Sequence, residues 1–173
     1  MTDSHTHNHW TTDAKRWYKS MTESERQRAA DLLGVPVRIT KRLLMGYSAS
    51  ERATTWPVRD ANENIVSARY ICLHTRHQRS PRSACDGLIY PIDLPLGQPL
   101  WVTNGPAETA ACLSQGLAAV GIPLDGARAD WVLELAARLV SPELIVLANA
   151  TEPGSAFVHR LARQYPVRIL TKK

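Results

Sequence analysis

The chain has 173 residues, 44% of them hydrophobic and 21% charged, with a formal net charge of +5. This is enough chain for one compact domain, or one domain with a smaller appendage, and the composition excludes a disordered or collagen-like polypeptide. The apolar runs, such as Leu144 to Ala148, fall far short of the roughly 20 residues that cross a bilayer, so no membrane partner is expected. The start, Met1-Thr2-Asp3-Ser4-His5, lacks the basic-then-apolar layout of a secretory signal, and a cytoplasmic location is the expectation. Cys72, Cys85 and Cys112 form no Cys-x-x-Cys pair, which argues against a zinc ribbon or a disulfide scaffold.

In chain order, residues 1–12 show no apolar period and read as a disordered tail carrying His5, His7, His9 and Trp10. From Asp13 the pattern turns helical, and Thr22 with Glu25 has the spacing of a capping box. A second helix is therefore expected from Thr22 to Gly34. After Val35-Pro36-Val37 a short helix follows over Ile39 to Leu44 and closes at Gly46. Thr54 to Val58 reads as a strand whose Pro57 places it at a sheet edge or a strand end. Arg59 to Asn64 supplies turn chemistry, and Ile65 to Leu73 alternates as the second strand of a hairpin. A polar basic loop, His74 to Ser83, leads to a short strand over Gly87-Leu88-Ile89-Tyr90.

The character changes after Pro99. Strands are expected at 100–102, 118–122, 144–148 and 167–170, with helices at 107–115, 130–140 and 154–164. This alternation predicts an α/β fold with a parallel sheet and helices on both of its faces. The organisation is then a tail over 1–12, a helical and β-hairpin basic subdomain over 13–96, and a compact α/β domain over 97–173.

The charge is concentrated. Between Pro36 and Cys85 lie nine cations (Arg38, Lys41, Arg42, Arg52, Arg59, Arg69, Arg76, Arg79 and Arg82) against Glu51, Asp60 and Glu63. Eight of the nine are arginine, which favours bidentate phosphate contact over mere solubility. Arg69, Arg76, Arg79 and Arg82 are the candidate contacts to a nucleic-acid backbone; the alternative is a solvated basic face.

In a parallel sheet the loops at the carboxyl ends of the strands hold the ligand. The first reads Thr103-Asn104-Gly105-Pro106-Ala107-Glu108, and a later one reads Asn149-Ala150-Thr151-Glu152-Pro153-Gly154-Ser155. Strand, loop, Gly, helix, then strand, x-x-x-Glu-Pro-Gly, helix resembles the Toprim domain of bacterial, phage and plasmid DNA primases. The Trp56-to-Val66 hairpin and Gly87-Leu88-Ile89-Tyr90-Pro91 are similar to the amino-terminal half of the primase polymerase core. The resemblance covers roughly residues 30–173.

That resemblance implies a Mg²⁺-binding acidic centre formed by three carboxylates. The matching positions here are Asn104, Asn149 and Thr151, all neutral. An amide oxygen contacts a metal but neither offsets its charge nor takes a proton at neutral pH. The expectation is a catalytically degenerate centre with no catalytic residues and no cofactor. Glu108 and Glu152 are the weaker candidates for a rearranged Mg²⁺ site. Their alternative role is placement near helix amino termini, where acids are stabilised. Backbone amides at Gly105, Gly154 and Ser155 are candidates for a phosphate held without metal. The expected partners are single-stranded DNA or RNA, or a nucleotide, with replication proteins beyond them. The rivals are an active primase or nuclease using Glu108 and Glu152, and a protein-interaction module.

Two further patterns are weak. Cys72, His74, His77 and Cys85 suggest zinc on paper but form no closed ligand set. Ser155 and His159 lie four apart without a nucleophile-elbow sequence. The aromatic residues are scattered, so no stacking platform is read.

Overall fold

The computed structural model describes residues 4–72, 74–75, 77–81, 87–122, 128–148 and 156–171. Three helices open the chain: α1 (Ser4–Ser20), α2 (Glu23–Leu33) and α3 (Val37–Arg42). The helix α1 corrects the expectation of a disordered tail over 1–12, because residues 4–12 belong to it. Its cause is a stripe hidden among polar residues. Trp10, Ala14 and Trp17 recur at helical spacing and pack on Ala53, Ile65, Ala68 and Tyr70. The Trp17 and Tyr70 rings meet edge-on at 5.8 Å.

Helix α2 is delimited as expected. Thr22 Oγ1 accepts from the Glu25 amide at 3.3 Å, while the Glu25 carboxylate accepts from the Thr22 amide at 2.8 Å. Gly34 closes it in the left-handed region at φ 68°, and the Val35 amide donates to Ala30 O at 3.0 Å. Helix α3 begins two residues before the expected start, because Pro36 serves as its N-cap.

The first sheet has the order β1-β2-β3-β4: β1 (Gly46–Ser48), β2 (Ala53–Arg59), β3 (Ile65–Ile71) and β4 (Gln78–Arg79), all antiparallel. Pro57 is not on an edge strand, since β2 lies between β1 and β3. It is tolerated because β1 pairs only with Ala53 to Thr55, so β2 has no neighbour on that side at Pro57. Both faces of the hairpin are covered, and every residue of β2 and β3 is buried. The expected basic loop is shorter than read, because β4 extends the sheet inside it. The Asp60 carboxylate builds the hairpin turn by accepting from the Asn62 and Asn64 amides at 2.8 and 3.0 Å.

The second sheet is parallel, with the order β6-β5-β7-β8: β5 (Leu100–Asn104), β6 (Ala118–Ile122), β7 (Leu144–Ala148) and β8 (Val167–Thr171). Helix α4 (Pro106–Ser114) packs on β5 and β6 and meets α2 and α3, while α5 (Ala129–Arg138) and α6 (Ala156–Ala162) pack on each other. The α/β fold with a parallel sheet, preceded by helices and a hairpin, is thus the observed architecture.

Leu88 and Ile89 join the two sheets rather than forming the short strand expected there. Leu88 exchanges backbone hydrogen bonds with Arg59 at 2.7 and 2.8 Å, and Ile89 does so with Gly121, both at 2.8 Å. Tyr90 Oη donates to Asp60 O at 2.6 Å, and Arg138 pairs with Glu63 at 2.9 Å, so the hairpin turn is held against the second sheet. One core spans the junction, from Ile39 and Trp56 through Leu88 to Val102 and Leu144.

Gly46 shows how closely α1 docks. A Cβ there would lie 2.4 Å from the Trp17 carbonyl carbon, whereas at Gly34 it would meet nothing within 4 Å. Gly46→Ala is therefore expected to cost about 1–3 kcal/mol through forced displacement of α1. Gly34→Ala should cost only about 1 kcal/mol, from its positive φ. Urea unfolding of the two variants should rank them in that order.

Candidate nucleic-acid interface

The site forms where β5 and β7 end side by side. At the carboxyl end of β5 the chain turns sharply: Gly105 has φ 83° and ψ −176°, and Pro106 opens α4. Only glycine adopts that φ without strain, and proline at the first helical position needs no amide donor. Asn104 stands just before the turn, and its carboxamide donates to Leu147 O on β7 at 3.4 Å. Glu108 sits in the first turn of α4 and its carboxylate accepts from the Asn104 amide at 3.0 Å. The Gly105 amide is turned back onto Thr103 O at 3.2 Å. Pro106 carries no N–H and the Thr109 amide donates to Gly105 O at 3.3 Å, so what α4 brings to this corner is the positive end of its dipole.

Buried hydroxyls fix the turn. Thr103 and Thr109 are fully buried, with their hydroxyl oxygens 2.8 Å apart. Thr109 Oγ1 donates to Gly105 O at 2.8 Å and Thr103 Oγ1 to Val120 O at 3.2 Å. Gly121 of β6 completes the arrangement, because a Cβ there would fall 2.3 Å from Thr109 Oγ1 and 2.9 Å from Gly105 O.

A cleft of about 310 Å³ lies beside this corner, between α2, the first sheet and α4. Leu33, Trp56 and Ile71 form its apolar wall, with Gln78 and Glu108 at its polar side. The Gln78 carboxamide lies 3.7 Å from where a Gly105 Cβ would stand, so β4 reaches across to the turn. Sequence reasoning missed Gln78, since it sits unmarked among the loop cations and only strand pairing carries it to the site.

The arginines expected to meet phosphates are arranged differently from one another. Arg69 is 9% exposed and donates to the Ser80 hydroxyl. Arg79 pairs with the Glu51 carboxylate at 2.8 Å and stands 5.9 Å from the centre of the Tyr70 ring. Arg76, Arg82, Asn149, Thr151, Glu152, Gly154 and Ser155 lie outside the described residues. Cys72, His74 and His77 come close in sequence, but no group of three or more His, Cys, Asp or Glu is placed to hold a metal among the described residues. Hydrogen bonds from Thr75, side chain first, lower the pKa of the Cys72 thiol. His159 is exposed on α6.

The donors described at this corner do not fit a divalent cation of the Mg²⁺ type. One is a neutral amide engaged with Leu147 O, and the other a single carboxylate already accepting a backbone amide. Mg²⁺ binds through carboxylates and phosphates in a near-octahedral shell, and this pair supplies little of either.

No family model matches the sequence, and no curated protein matches it. Among solved structures, the primase catalytic domain of DnaG bound to single-stranded DNA superposes with a TM-score of 0.71 at 11% identity, over 97% of this chain and 73% of that one. The fold is that of a primase catalytic core. The RNA polymerase domain of Mycobacterium tuberculosis DnaG gives 0.71 at 12% identity, over 99% and 76%. The primase fragment of the bacteriophage T7 primase-helicase gives 0.53 at 16%, over 79% and 60%. Within this primase-core fold, the Asn104 corner lies at the carboxyl end of the parallel sheet. Among the described residues no helix is long and apolar enough to cross a membrane.

The hydroxyl network is testable apart from any ligand. Thr109→Val keeps the shape but removes the hydroxyl bond, leaving Gly105 O only the Thr109 amide at 3.3 Å and the buried Thr103 hydroxyl without its neighbour, which should cost about 1–3 kcal/mol. The Asn104 and Gly105 amides should lose hydrogen-exchange protection more than those of β8, whose residues are mostly exposed already.

Proposed function

We propose that this chain binds nucleic acid, or the phosphate of a nucleotide, through a primase-type core whose acidic centre has been replaced, and that it does so without metal-dependent catalysis. The observation that carries the proposal is Asn104: where a Toprim centre would place an acid, the strand ends on a neutral amide that bonds to β7. Phosphoryl transfer of this kind relies on metal ions to neutralise developing charge, and a corner with Asn104 and one committed carboxylate gives them weak anchorage. The same substitution favours an approaching anion, since a phosphate meets no row of carboxylates there. The Asn104 carboxamide and the first turn of α4 then orient the phosphate as donors and as the positive end of a dipole. The fold supports this reading at the level of architecture, and so does the concentration of arginine before residue 86. No cofactor is required by it. Single-stranded DNA or RNA is the proposed partner, with replication proteins as further ones, and a cytoplasmic setting suits both.

The test is a salt-titrated binding assay with single-stranded and duplex oligonucleotides, with Mg²⁺ and with chelator. The expected result is binding that weakens linearly in log affinity against log salt and is unchanged by chelation. Mg²⁺-dependent synthesis or cleavage that disappears in the Glu108→Gln, Glu152→Gln double variant would replace this proposal with an active enzyme. Absence of nucleic-acid binding even at low salt would leave the protein-interaction reading in its place.

A further inference from the structure

The cleft beside Gly105 does not stand alone. A second cavity of about 280 Å³ lies between α2 and the same sheet, and the two share Leu32 and Ile71 on their walls. Together they form one furrow with unlike ends. The near end holds Gln78 and Glu108 over an apolar floor that includes Trp56, which is fully buried. The far end is rimmed by Arg28, Arg52 and His74, all exposed, above Met21, Tyr47 and Ile71.

The charges along this furrow are unevenly committed. Glu25 lines the far cavity, but its carboxylate is held by Thr22 in the capping box, and those hydrogen bonds lower its pKa. Glu108 accepts from the Asn104 amide. Neither Arg28 nor Arg52 is within ion-pair distance of a carboxylate among the described residues, although the charge of Arg28 adds a smaller contribution to holding the Glu25 pKa down. Arg69 and Arg79 are bound to Ser80 and Glu51, whereas Arg28, which feels the charge of the capped Glu25, and Arg52 present exposed guanidinium groups at the furrow. Arg28 comes from outside the basic segment altogether, carried in by α2.

Resting on the reading of the protein as a nucleic-acid binder, we infer that this furrow holds the end of a single-stranded polynucleotide. Its phosphates meet Arg28 and Arg52, and a base enters the cleft between Trp56, Gln78 and α4. The near cavity suits a flat heterocycle because it offers an apolar wall on one side and unlike hydrogen-bonding groups on the other. The Gln78 carboxamide both donates and accepts, whereas the Glu108 carboxylate only accepts. Its volume lies at the lower end of ligand pockets, the scale of a single nucleoside. A cationic rim that follows a backbone beside apolar and aromatic walls is the general arrangement for binding single strands. A duplex, with its bases stacked inward, has nothing to place in either cavity.

Cys72 lines the far cavity and offers a direct readout. A twelve-residue oligo-dT is titrated onto the full chain by anisotropy, and alkylation of Cys72 by iodoacetamide is followed by peptide mass spectrometry, which resolves it from Cys85 and Cys112. Bound strand should slow Cys72 alkylation several-fold. The Arg28→Ala, Arg52→Ala double variant should weaken binding at least tenfold and reduce the salt slope by about 1.4, the value for two lost contacts to a single strand. Ala111→Leu, on the exposed side of α4 where it lines the near cavity, should weaken binding while leaving the salt slope unchanged. Lys15→Ala, exposed on α1 and lining neither cavity, should behave as the parent chain. If oligo-dT binds but the double variant binds equally well and Cys72 stays fully reactive, the furrow assignment is overturned and nucleic-acid binding stands elsewhere. If no oligonucleotide binds, both readings fall together.

Discussion

The arrangement of the whole molecule turns on the missing side chain at Gly121. On one side this residue pairs in parallel register with Thr103, and on the other it exchanges two hydrogen bonds with Ile89. Above it the Gly105 carbonyl and the Thr109 hydroxyl occupy the space where a Cβ would stand. Three structures therefore meet at one atom's width: the first parallel strand pair, the Leu88-Ile89 segment that reaches back to Arg59, and the turn that presents Asn104. A methyl group at Gly121 would force at least one of them to move. Interiors are packed too densely to absorb such a displacement locally, so the site and the junction between sheets share a single tolerance.

A second constraint governs how the arginines are distributed. Burying a guanidinium is tolerable only when its donors are satisfied. Arg26, 3% exposed, spends its donors on Met45 O and Tyr18 O and stacks 4.3 Å from the Tyr18 ring centre, tying α2 to α1 and β1. Arg59 is also buried; its guanidinium donates to Glu63 O, and desolvation lowers its pKa. These residues are architectural cations. Their charge is spent on holding the helices and hairpin in place, whereas the guanidinium groups of Arg28 and Arg52 stay exposed. The arginines of the chain thus separate into two populations that composition alone does not distinguish.

The parallel sheet was legible because its strands are short apolar runs set between helical periods, and 118–122 and 144–148 match the observed strands end for end. The capping box at Thr22 and the closing Gly34 were legible because each is a local hydrogen-bond device with its own residue signature. Trp10 escaped notice because its partners, Ala14 and Trp17, lie within a run of His, Thr and Asp, and the stripe becomes visible only once Tyr70 supplies a surface for it. The Leu88-Ile89 link was read as a strand from its residues, but its role depends on two non-local partners, Arg59 and Gly121, that no local pattern encodes. At the site, Asn104 and Gly105 could be read from position relative to strand and helix. Gln78 could not, since a two-residue strand pairing brings it there.

The neutral side chain of Asn104 also bears on how the corner holds its shape. In a centre built around a metal, carboxylates packed together repel one another until the ion arrives, so the empty site is strained by its own charge. Here the neutral amide of Asn104 reaches β7 directly, and the one nearby carboxylate, Glu108, is neutralised in part by the helix dipole and by the Asn104 amide. Among the described residues of the corner, the Asn104 carboxamide and the Glu108 carboxylate are both engaged by the protein itself. On the function proposed above, such a corner gives little anchorage to the positive charge that a transferring phosphoryl group requires at the moment of reaction. On that same proposal it holds an anion and does not transform it, and that asymmetry turns on the hydrogen bonds of a single asparagine.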